Sequence, residues 1–427
     1  MWILEKVKKE KKKVNKKMVL IILGIIVGVI ALLTIVNIIA NKAAVNKAKG
    51  IATSYEKVEI ENQLVPEKDT NGYWTFTTDR ELKILQFTDV HIAGGWASAK
   101  TDKMALQAVA TMIIAEKPDL VVVTGDLVYP TPLSLTINNK APAEIFASLM
   151  ETLGVYWVPV FGNHDSEVYN LYTREKIAEY YGSSDLKYCL FQSGDENIYG
   201  YGNSVINVRN TDGVITQSLY LIDSNAYPEN SFFGLTGGYD NVHEDQIEWY
   251  KNTYEKLNAQ NKAYIEKIYA DDEDKKNEAL EQFGLIKSLM FMHIPPVEYS
   301  YAWDEYQKGG DAKYFYGAQG EDVCHPKEDD MLFETMVEIG GTKGVFCGHD
   351  HINTYSIEYK GIRLTYGMSI DYLAYSNIDT LGSQRGCTII TVKPDGSFDC
   401  TPSSYYQDKY VNPEKEEVTM QELVNNK

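Results

Sequence analysis

Five apolar segments are each followed at once by aspartate, asparagine or histidine, and this arrangement limits the possible folds more than any other feature. The polar groups are Asp89-Val90-His91, Gly125-Asp126, Gly162-Asn163-His164-Asp165, His293 and Gly348-His349-Asp350-His351. The chain has only seven histidines, and five of them lie in these groups. Strands buried on both faces read as continuous apolar runs, and ligands bind beyond the carboxyl ends of parallel strands. We therefore expect these side chains to converge on one face.

The order of the predicted elements supports a parallel sheet. Residues 82–89, 119–126 and 155–165 predict buried strands, and residues 103–117 and 143–154 predict helices between them. Alternation of this kind favours a parallel sheet with helices packed on it. Hairpins are predicted around residues 203–224, 354–367 and 387–400. The sequence therefore predicts a mixed α/β protein with parallel and antiparallel pairing.

Convergent Asp, Asn and His side chains have few chemical uses. Taken alone, the segment that carries His349 and His351 fits two readings equally well: a functional site at the end of a buried strand, or two surface histidines on a turn. Several crowded carboxylates would repel one another unless cations lay between them, and imidazole with carboxylate suits Mn, Fe, Zn, Co or Ni. The five cysteines are odd in number, form no C-x-x-C pair and lie outside these groups, so neither a closed zinc site nor a disulfide framework is indicated. Two such metals would suit phosphoryl transfer, since they offset charge on the phosphate oxygens.

The order D-x-H, G-D, G-N-H-D, H and G-H-x-H resembles the calcineurin-like metallophosphoesterase superfamily over roughly residues 73–402. Within it, "FTDVH", "MFMHIPPVEY", "GVFCGHDHIN" and "GIRLTYG" are similar to the purple-acid-phosphatase-like branch that has a D-x-H motif. The resemblance implies a four-layer αββα sandwich of two facing mixed sheets flanked by helices. It also implies hydrolysis of phosphoesters by in-line attack of a hydroxide that bridges two divalent metal ions.

The same resemblance assigns roles to matching residues. One metal would be held by Asp89, His91 and His351, the bridge would be Asp126, and the second metal would be held by Asn163, His293 and His349. His164 would be the catalytic acid or transition-state stabiliser, and Asp165 would orient it. Tyr129 fits the G-D-x-x-Y pattern through which purple acid phosphatases bind ferric iron. Because His91 already fills that position, we expect Tyr129 to pack at the mouth of the site and not to bind metal.

The N-terminal segment predicts a membrane anchor. Residues 18–40 carry no charge and as a helix would span about 34 Å, enough for a bilayer core of about 30 Å. A signal peptide is the alternative, although its apolar region is usually shorter and no convincing cleavage site follows. Eight lysines precede the segment and three closely follow it, which predicts a single-pass protein with a cytoplasmic N-terminus and an outward-facing catalytic domain in the cell membrane.

Around this anchor the sequence predicts further regions. These are a basic cytoplasmic segment (1–17), a stalk (41–72), an exposed helical insertion (250–284) within the catalytic domain (73–402), and a polar tail (403–427). Eleven lysines and two glutamates give the first 49 residues a charge of +9; since the whole chain carries −19, the remainder carries −28. This acidic remainder makes nucleic acid an unlikely partner. The remainder also lacks an N-x-[ST] sequon, which fits a bacterial surface.

These features predict a membrane-anchored, outward-facing phosphoesterase with two divalent metal ions. The alternative is a surface binding protein on a degenerate phosphoesterase scaffold. A serine or cysteine hydrolase is disfavoured because no G-x-S-x-G motif or suitable Cys/His context is present. Phosphomonoesters, diesters, nucleotides and phosphoproteins all stay candidate substrates, because specificity lies in loops that the motifs do not describe. Oligomeric state is likewise open.

Overall fold

Fourteen strands and eight α-helices are present in the part of the chain that the structure, a computed structural model, describes: residues 16–228, 231, 238–327, 330–375, 377–378, 381, 383–406 and 409–410. The strands are β1 (Glu67–Lys68), β2 (Trp74–Thr77), β3 (Leu82–Phe87), β4 (Leu120–Thr124), β5 (Trp157–Val160), β6 (Ser204–Arg209), β7 (Ile215–Leu221), β8 (Lys287–Phe291), β9 (Lys313–Tyr316), β10 (Thr342–Cys347), β11 (Ser356–Tyr359), β12 (Ile362–Tyr366), β13 (Gly386–Val392) and β14 (Phe398–Ser404). The helices are α1 (Lys16–Ala52), α2 (Ala99–Glu116), α3 (Lys140–Leu153), α4 (Arg174–Tyr181), α5 (Glu244–Ile268), α6 (Glu273–Phe283), α7 (Glu298–Gln307) and α8 (Leu332–Ile339).

The strands form two mixed sheets. The larger has nine strands in the order β1-β2-β6-β7-β8-β10-β12-β11-β9, and the smaller has five in the order β14-β13-β3-β4-β5. β3, β4 and β5 are parallel, as the strand–helix alternation predicted, and β7, β8, β10 and β12 are parallel in the larger sheet. The three predicted hairpins are the antiparallel pairs β6/β7, β11/β12 and β13/β14. The mixed α/β prediction is confirmed.

Alternation along the strands shows why the protein has four layers. In β8, Leu289 and Phe291 belong to the core cluster shared with the five-stranded sheet, α2 and α3. Met290 points the other way, into a second cluster with α5, α7 and α8. Because successive side chains of a strand point to opposite faces, the nine-stranded sheet is buried on both sides. Helices therefore cover the outer face of each sheet, and the predicted αββα sandwich is confirmed.

The chain between the apolar run and the first strands packs on the domain. α1 continues to Ala52, and both Ala48 and Ala52 are buried. Beyond the helix, the backbone N–H of Val58 donates to the carbonyl of Leu153 at 2.9 Å. The stalk predicted for residues 41–72 is thus corrected: small alanine side chains let α1 lie close against α3, and the segment does not hold the domain at a distance.

Two other predicted regions also differ from expectation. α5, in the first half of the predicted insertion (250–284), buries Tyr250, Tyr254 and Leu257 in the second core cluster, so it is a core helix, whereas α6 has no buried residue. Tyr410, in the predicted tail (403–427), is buried as well. Apolar residues at helical spacing on one face of α5 explain its position despite its many charges. Residues 411–427 and 1–15 lie outside the described residues.

The apolar part of α1 is exposed. Its side chains from Met18 to Ile39 are largely uncovered by the rest of the chain, and the helix is long and apolar enough to cross a membrane. A signal sequence near an N-terminus can also be long and apolar enough to meet this criterion. The helix is therefore consistent with both of the alternatives drawn from the sequence.

Candidate metal centre

A first group of potential metal ligands gathers beyond the ends of three strands. Asp89 and His91 follow β3, Asp126 follows β4, and His351 follows β10. One ligand atom from each of the four lies within 4.8 Å of the others, and all four side chains are buried. His91 Nε2 is 3.4 Å from Asp126 Oδ2, and His351 Nε2 is 3.4 Å from Asp89 Oδ1. The group can hold one cation.

A second group shares Asp126 with the first. Asp126, His293 and His349 each offer a ligand atom within 4.8 Å of the others. His293 Nε2 lies 3.2 Å from Asp126 Oδ2 and 3.2 Å from the side-chain oxygen of Asn163, which follows β5. The carboxylate of Asp126 therefore stands between two positions, each of which has imidazole donors of its own.

The backbone at four of these residues has a positive φ. The angles are 50° at Asp89, 52° at His91, 49° at Asp126 and 76° at His349. A non-glycine residue in this region costs of the order of 1–3 kcal/mol and persists only where the surrounding structure imposes it. Such strain concentrated on successive strand ends is typical of a functional site, because it turns consecutive side chains toward one point.

Two glycines beside the ligands have no room for a side chain. A Cβ on Gly162 would lie 2.2 Å from Asp126 Oδ1. A Cβ on Gly348 would lie 1.8 Å from Thr88 Oγ1 and 2.8 Å from Asp89 Oδ2. Gly162 thus lets two neighbouring strand ends of the smaller sheet approach closely, and Gly348 does the same between the two sheets, so that ligands from both can meet.

The charges of the centre depend on one another. Burial alone would raise the pKa of Asp126, but His293 and His164 hold it well below its ordinary value. Burial would lower the pKa of His293, yet the Asp126 carboxylate raises it to about 9. Burial and the neighbouring His293 hold the pKa of His349 well below its ordinary value. Metal binding must therefore displace a proton from His293, while His349 is already neutral.

Sequence reasoning missed Asp371, a buried carboxylate that contacts two of the histidines. Its oxygens lie 3.3 Å from His91 Nδ1 and 2.9 Å from His351 Nδ1. Burial would raise the pKa of Asp371, but His91 and His351 lower it well below its ordinary value. These contacts fix the Nε2 atoms of both rings toward the first group. A sequence signal for Asp371 does exist, because it follows β12, another strand with its carboxyl end at the same edge. The hairpin pattern of residues 354–367 draws attention away from this strand end.

His164 is oriented by Glu167. His164 Nδ1 lies 2.7 Å from Glu167 Oε1, and its Nε2 lies 4.0 Å from Asp126 Oδ2. The hydroxyl of Tyr227 also donates to Glu167 Oε1, at 3.3 Å. A carboxylate at Nδ1 directs the other ring nitrogen toward the metal positions. Glu167 was not among the residues predicted from the sequence.

The role predicted for Asp165 is corrected. Its carboxylate accepts hydrogen bonds from the backbone N–H groups of Asp126, Val128 and Gly162, at 2.7–3.0 Å. Residues 164–166 form a single turn of 3₁₀-helix, in which successive side chains diverge, so Asp165 points beneath the loop and away from the ring of His164. Burial and the nearby Asp126 raise the pKa of Asp165 to about 6. Asp165 supports the backbone that carries the shared ligand.

A cavity of about 810 Å³ opens beside Glu167, the partner of His164. Glu167 and Tyr227 line it, and the amide nitrogen of Asn163 donates to the Tyr227 hydroxyl at 3.1 Å. Arg174, on its wall, forms a 2.5 Å ion pair with the buried carboxylate of Asp223. The volume is within the range of small-molecule sites, about 300–1,000 Å³. The cavity gives space for a small molecule beside Glu167 and Tyr227, which contact His164 and Asn163.

Comparison with known families decides what kind of protein carries this arrangement. The model of the family described as calcineurin-like phosphoesterase matches residues 82–353, more than half of the chain. The chain belongs to the calcineurin-like phosphoesterase family. The matched range contains all nine residues predicted from the sequence to form the site.

Individual relatives of this calcineurin-like phosphoesterase include plant and yeast proteins. "Probable inactive purple acid phosphatase 14" of Arabidopsis thaliana is 28% identical over 322 residues, which cover 71% of this chain and 74% of the relative. "Phosphatase DCR2" of Saccharomyces cerevisiae is 28% identical over 300 residues, covering 66% of this chain and 46% of the relative. A solved dimetal phosphatase from Danio rerio has a TM-score of 0.47 and 12% identity, with 77% of this chain and 97% of that chain covered. The plant and yeast relatives lend no support to a bacterial source.

The donor set of this calcineurin-like phosphoesterase fits a pair of divalent cations. Carboxylate, imidazole and amide oxygen are present without thiolate, which suits borderline divalent ions. His349 Nε2 is buried and has no hydrogen-bond partner among the described residues. A buried polar atom without a partner is costly, and a cation in the second group would satisfy it.

Tyr129 lies beside the histidines of the centre. Its ring centroid is 4.8 Å from that of His91 and 4.2 Å from that of His164. Burial and the charge of Glu167 raise the pKa of Tyr129, so the phenol stays neutral at neutral pH. A neutral phenol is a poor metal ligand, and this geometry favours the expected packing role.

Proposed function

We propose that this chain is a membrane-anchored phosphoesterase with a dinuclear metal centre and an outward-facing catalytic domain. The observation that carries the proposal is the pair of ligand groups that share Asp126, with His164 directly beside them. Each group has donors from both sheets, which is the arrangement that a reaction between two cations requires. Family membership supports phosphoester hydrolysis as the reaction class.

Each ligand has a definite place in the proposal. Asp89, His91 and His351 would hold one cation, Asn163, His293 and His349 would hold the other, and the carboxylate of Asp126 would bridge them. Bound there, two divalent ions would supply a water of lowered pKa as nucleophile and offset the charge of the phosphoryl oxygens. Asp371 keeps two of the imidazoles in the orientation that binding needs.

His164 supplies the proton for the leaving group in this proposal. Its side chain is 24% exposed, so it can reach a substrate, while the ligand imidazoles are almost fully buried. Glu167 holds Nδ1, which leaves Nε2 directed toward the metal positions, 4.0 Å from Asp126 Oδ2. A general acid in this position contributes most when the leaving group is a poor one.

Membrane anchoring rests on α1 and on the lysines of the sequence. Eight lysines precede the apolar run, and the positive-inside rule then puts the catalytic domain outside. The charge of −28 on the domain side is consistent with translocation, which depends on lysine and arginine close to the span and not on net charge.

A surface binding protein on the same scaffold is the second candidate. The word "inactive" in the name of the plant relative favours considering it. Against it, all seven ligand positions in this chain are filled, and their side chains point to one place. A scaffold that had lost catalysis is not required to keep all of these donors together with a histidine and its carboxylate partner.

The test measures metal content and turnover in the same preparation. The purified chain should contain divalent metal by mass spectrometry, hydrolyse p-nitrophenyl phosphate, lose activity in EDTA and regain it with Mn, Co or Zn. Asp126→Asn should lower activity by about 100-fold or more because it removes the shared charge from both positions. Asp399→Asn, which changes an exposed carboxylate, is the control. A metal-containing protein without turnover on any phosphoester would support the binding protein instead.

A further inference from the structure

Exposed apolar side chains cluster on loops that lead away from the proposed active site. They lie on three loops, each of which begins at a residue of the metal centre: His91, Asp126 and Asn163. The members of this apolar rim are Trp96, Leu133, Leu135, Ile137, Val168 and Leu171. Leu133 is 93% exposed, Val168 69% and Leu171 60%. Clustered apolar exposure at one edge of a soluble domain marks a contact surface.

The loops of the rim are held together by hydrogen bonds. The backbone N–H of Leu171 donates to the carbonyl of Ile137 at 2.8 Å. The side-chain amide of Asn170 donates to the carbonyl of Pro130 at 3.3 Å, and its oxygen accepts from the N–H of Glu167. The apolar rim is therefore connected to the residue that orients His164.

α1 is fixed to the same loops at the end of its apolar run. The side-chain amides of Asn37 and Asn41 both donate to the carbonyl of Leu135, at 2.9 and 2.8 Å. In return, the indole N–H of Trp96 donates to Asn37 and its backbone N–H donates to Asn41, at 2.8 and 3.0 Å. Four hydrogen bonds thus join the helix to two loops of the rim.

The direction of α1 decides which edge of the domain faces the membrane. Asn41 lies beside Leu135, just before α3 begins, and Val58 bonds to Leu153, where α3 ends. α1 therefore runs alongside α3 in the same direction. α3 begins near the carboxyl end of β4, so residues 16–40 extend beyond the edge that carries the metal centre. A bilayer crossed by these residues lies on the side of the active site.

The rim lies at the level where α1 leaves the hydrocarbon. Asn37 and Asn41 are one turn apart, about 6 Å along the axis, and the uncharged run ends between Asn41 and Lys42. Tryptophan prefers this interfacial level, because its ring can contact apolar groups while its N–H bonds to a polar partner. Trp96 fits this preference, since its indole N–H donates to Asn37. Trp96 is five positions after His91, so their Cα atoms are at most about 18 Å apart.

We propose that the substrate is a phosphoester carried by a lipid of the membrane that α1 spans, and that the apolar rim lies in the surface of that bilayer. This inference rests on the proposed function and names its substrate class. The rim would hold the mouth of the site at headgroup level, where lipid phosphates are concentrated in two dimensions. A soluble phosphoester would reach the same site only from the side.

The first test compares lipid and soluble substrates in phosphatidylcholine nanodiscs that contain the full chain. Phosphatidic acid and phosphatidylglycerol offer a lipid monoester and a diester, and p-nitrophenyl phosphate is the soluble substrate. Leu133→Asp should lower hydrolysis of the preferred lipid about tenfold or more and leave the soluble rate within about twofold, since it weakens interfacial contact only. Leu285→Asp, at the amino end of β8, is the matched control and should change neither rate.

The outcomes separate the substrate from the reaction. Hydrolysis of p-nitrophenyl phosphate with neither lipid cleaved would overturn this proposal and leave the proposed function intact. Loss of both rates in Leu133→Asp would also overturn it, because the residue would then act on the site and not on the bilayer. Failure on every substrate, by a metal-loaded preparation, would refute the proposed function itself.

A second measurement needs no turnover. In a Cys324→Ser background, which removes the exposed thiol, a polarity-sensitive fluorophore on Leu133→Cys should be quenched by lipids that carry a nitroxide near the headgroup. The same fluorophore on Leu285→Cys should not be quenched. If lipid nitroxides do not quench the label at position 133, the proposal is overturned. That result is expected if a second protein, and not the bilayer, covers the rim.

Discussion

Replacing Asp371 by asparagine tests how the first metal position is built. The carboxylate forms a 2.9 Å hydrogen bond with His351 Nδ1 and lies 3.3 Å from His91 Nδ1, and its oxygens also accept from three backbone N–H groups. An asparagine keeps one oxygen acceptor but puts an NH₂ group where the other oxygen was. The N–H group of one imidazole would then point at the new NH₂ group. Because two donors cannot bond to each other, that ring would rotate or change tautomer.

The expected size of the effect follows from that lost contact. Partners of ligating histidines typically contribute about 10- to 100-fold in metal affinity, or about 1.4–2.7 kcal/mol. Among the predicted metal ligands, His91 and His351 contact Asp371, and both belong to the first position. Asp371→Asn should therefore weaken one binding event by this factor and leave the event at His293 and His349 nearly unchanged.

The assay is titration of the metal-free protein with Zn²⁺ against a chromophoric chelator, followed by metal analysis after desalting. The wild type should show two binding events and the variant one normal and one weakened event. Asp119→Asn is the control: this carboxylate is also buried, but it bonds to Arg80 at the opposite edge of the sheet and should affect stability only. Unchanged affinity in Asp371→Asn, or equal loss at both positions, would refute the reasoning.

Four further predictions follow from the site and the anchor. Glu167→Gln should keep both metals and lower kcat about tenfold on alkyl phosphates, with less loss on p-nitrophenyl phosphate, because His164 loses a charged partner; equal loss on both substrates would remove His164 from the acid role. Asp165→Asn should mainly lower the melting temperature, measured by circular dichroism, since it disrupts three backbone contacts. Tyr129→Phe should keep its metals and most of its activity, and the wild type should be colourless; a purple preparation that bleaches in the variant would show a tyrosinate ligand. Protease added to intact cells should digest residues 50–427, and protection until lysis would reverse the topology.

Short-range pattern was enough to predict several elements. The apolar runs of β3, β4 and β5 and the helices between them predict parallel strands, because their periodicity depends on neighbours in sequence. The same pattern puts Asp126 at a strand end. Short-range pattern gave the wrong prediction for α5, where charged residues on one face concealed the buried tyrosines on the other. It also gave the wrong prediction for residues 41–52, which were expected to form part of a stalk but whose alanines pack on α3.

The sequence by itself determined that the core strands are parallel, which polar residues stand at their carboxyl ends, and the length of the uncharged apolar run in α1. These depend on residue type and local spacing. Only the tertiary structure decided that Glu167 and not Asp165 contacts His164, that Asp371 contacts two imidazoles, and that α1 leaves the domain on the side of the site. The reason is physical: side-chain direction follows from backbone angles at strained turns, and contacts between distant segments follow from the packing of two sheets and a helix. Neither is set by local periodicity.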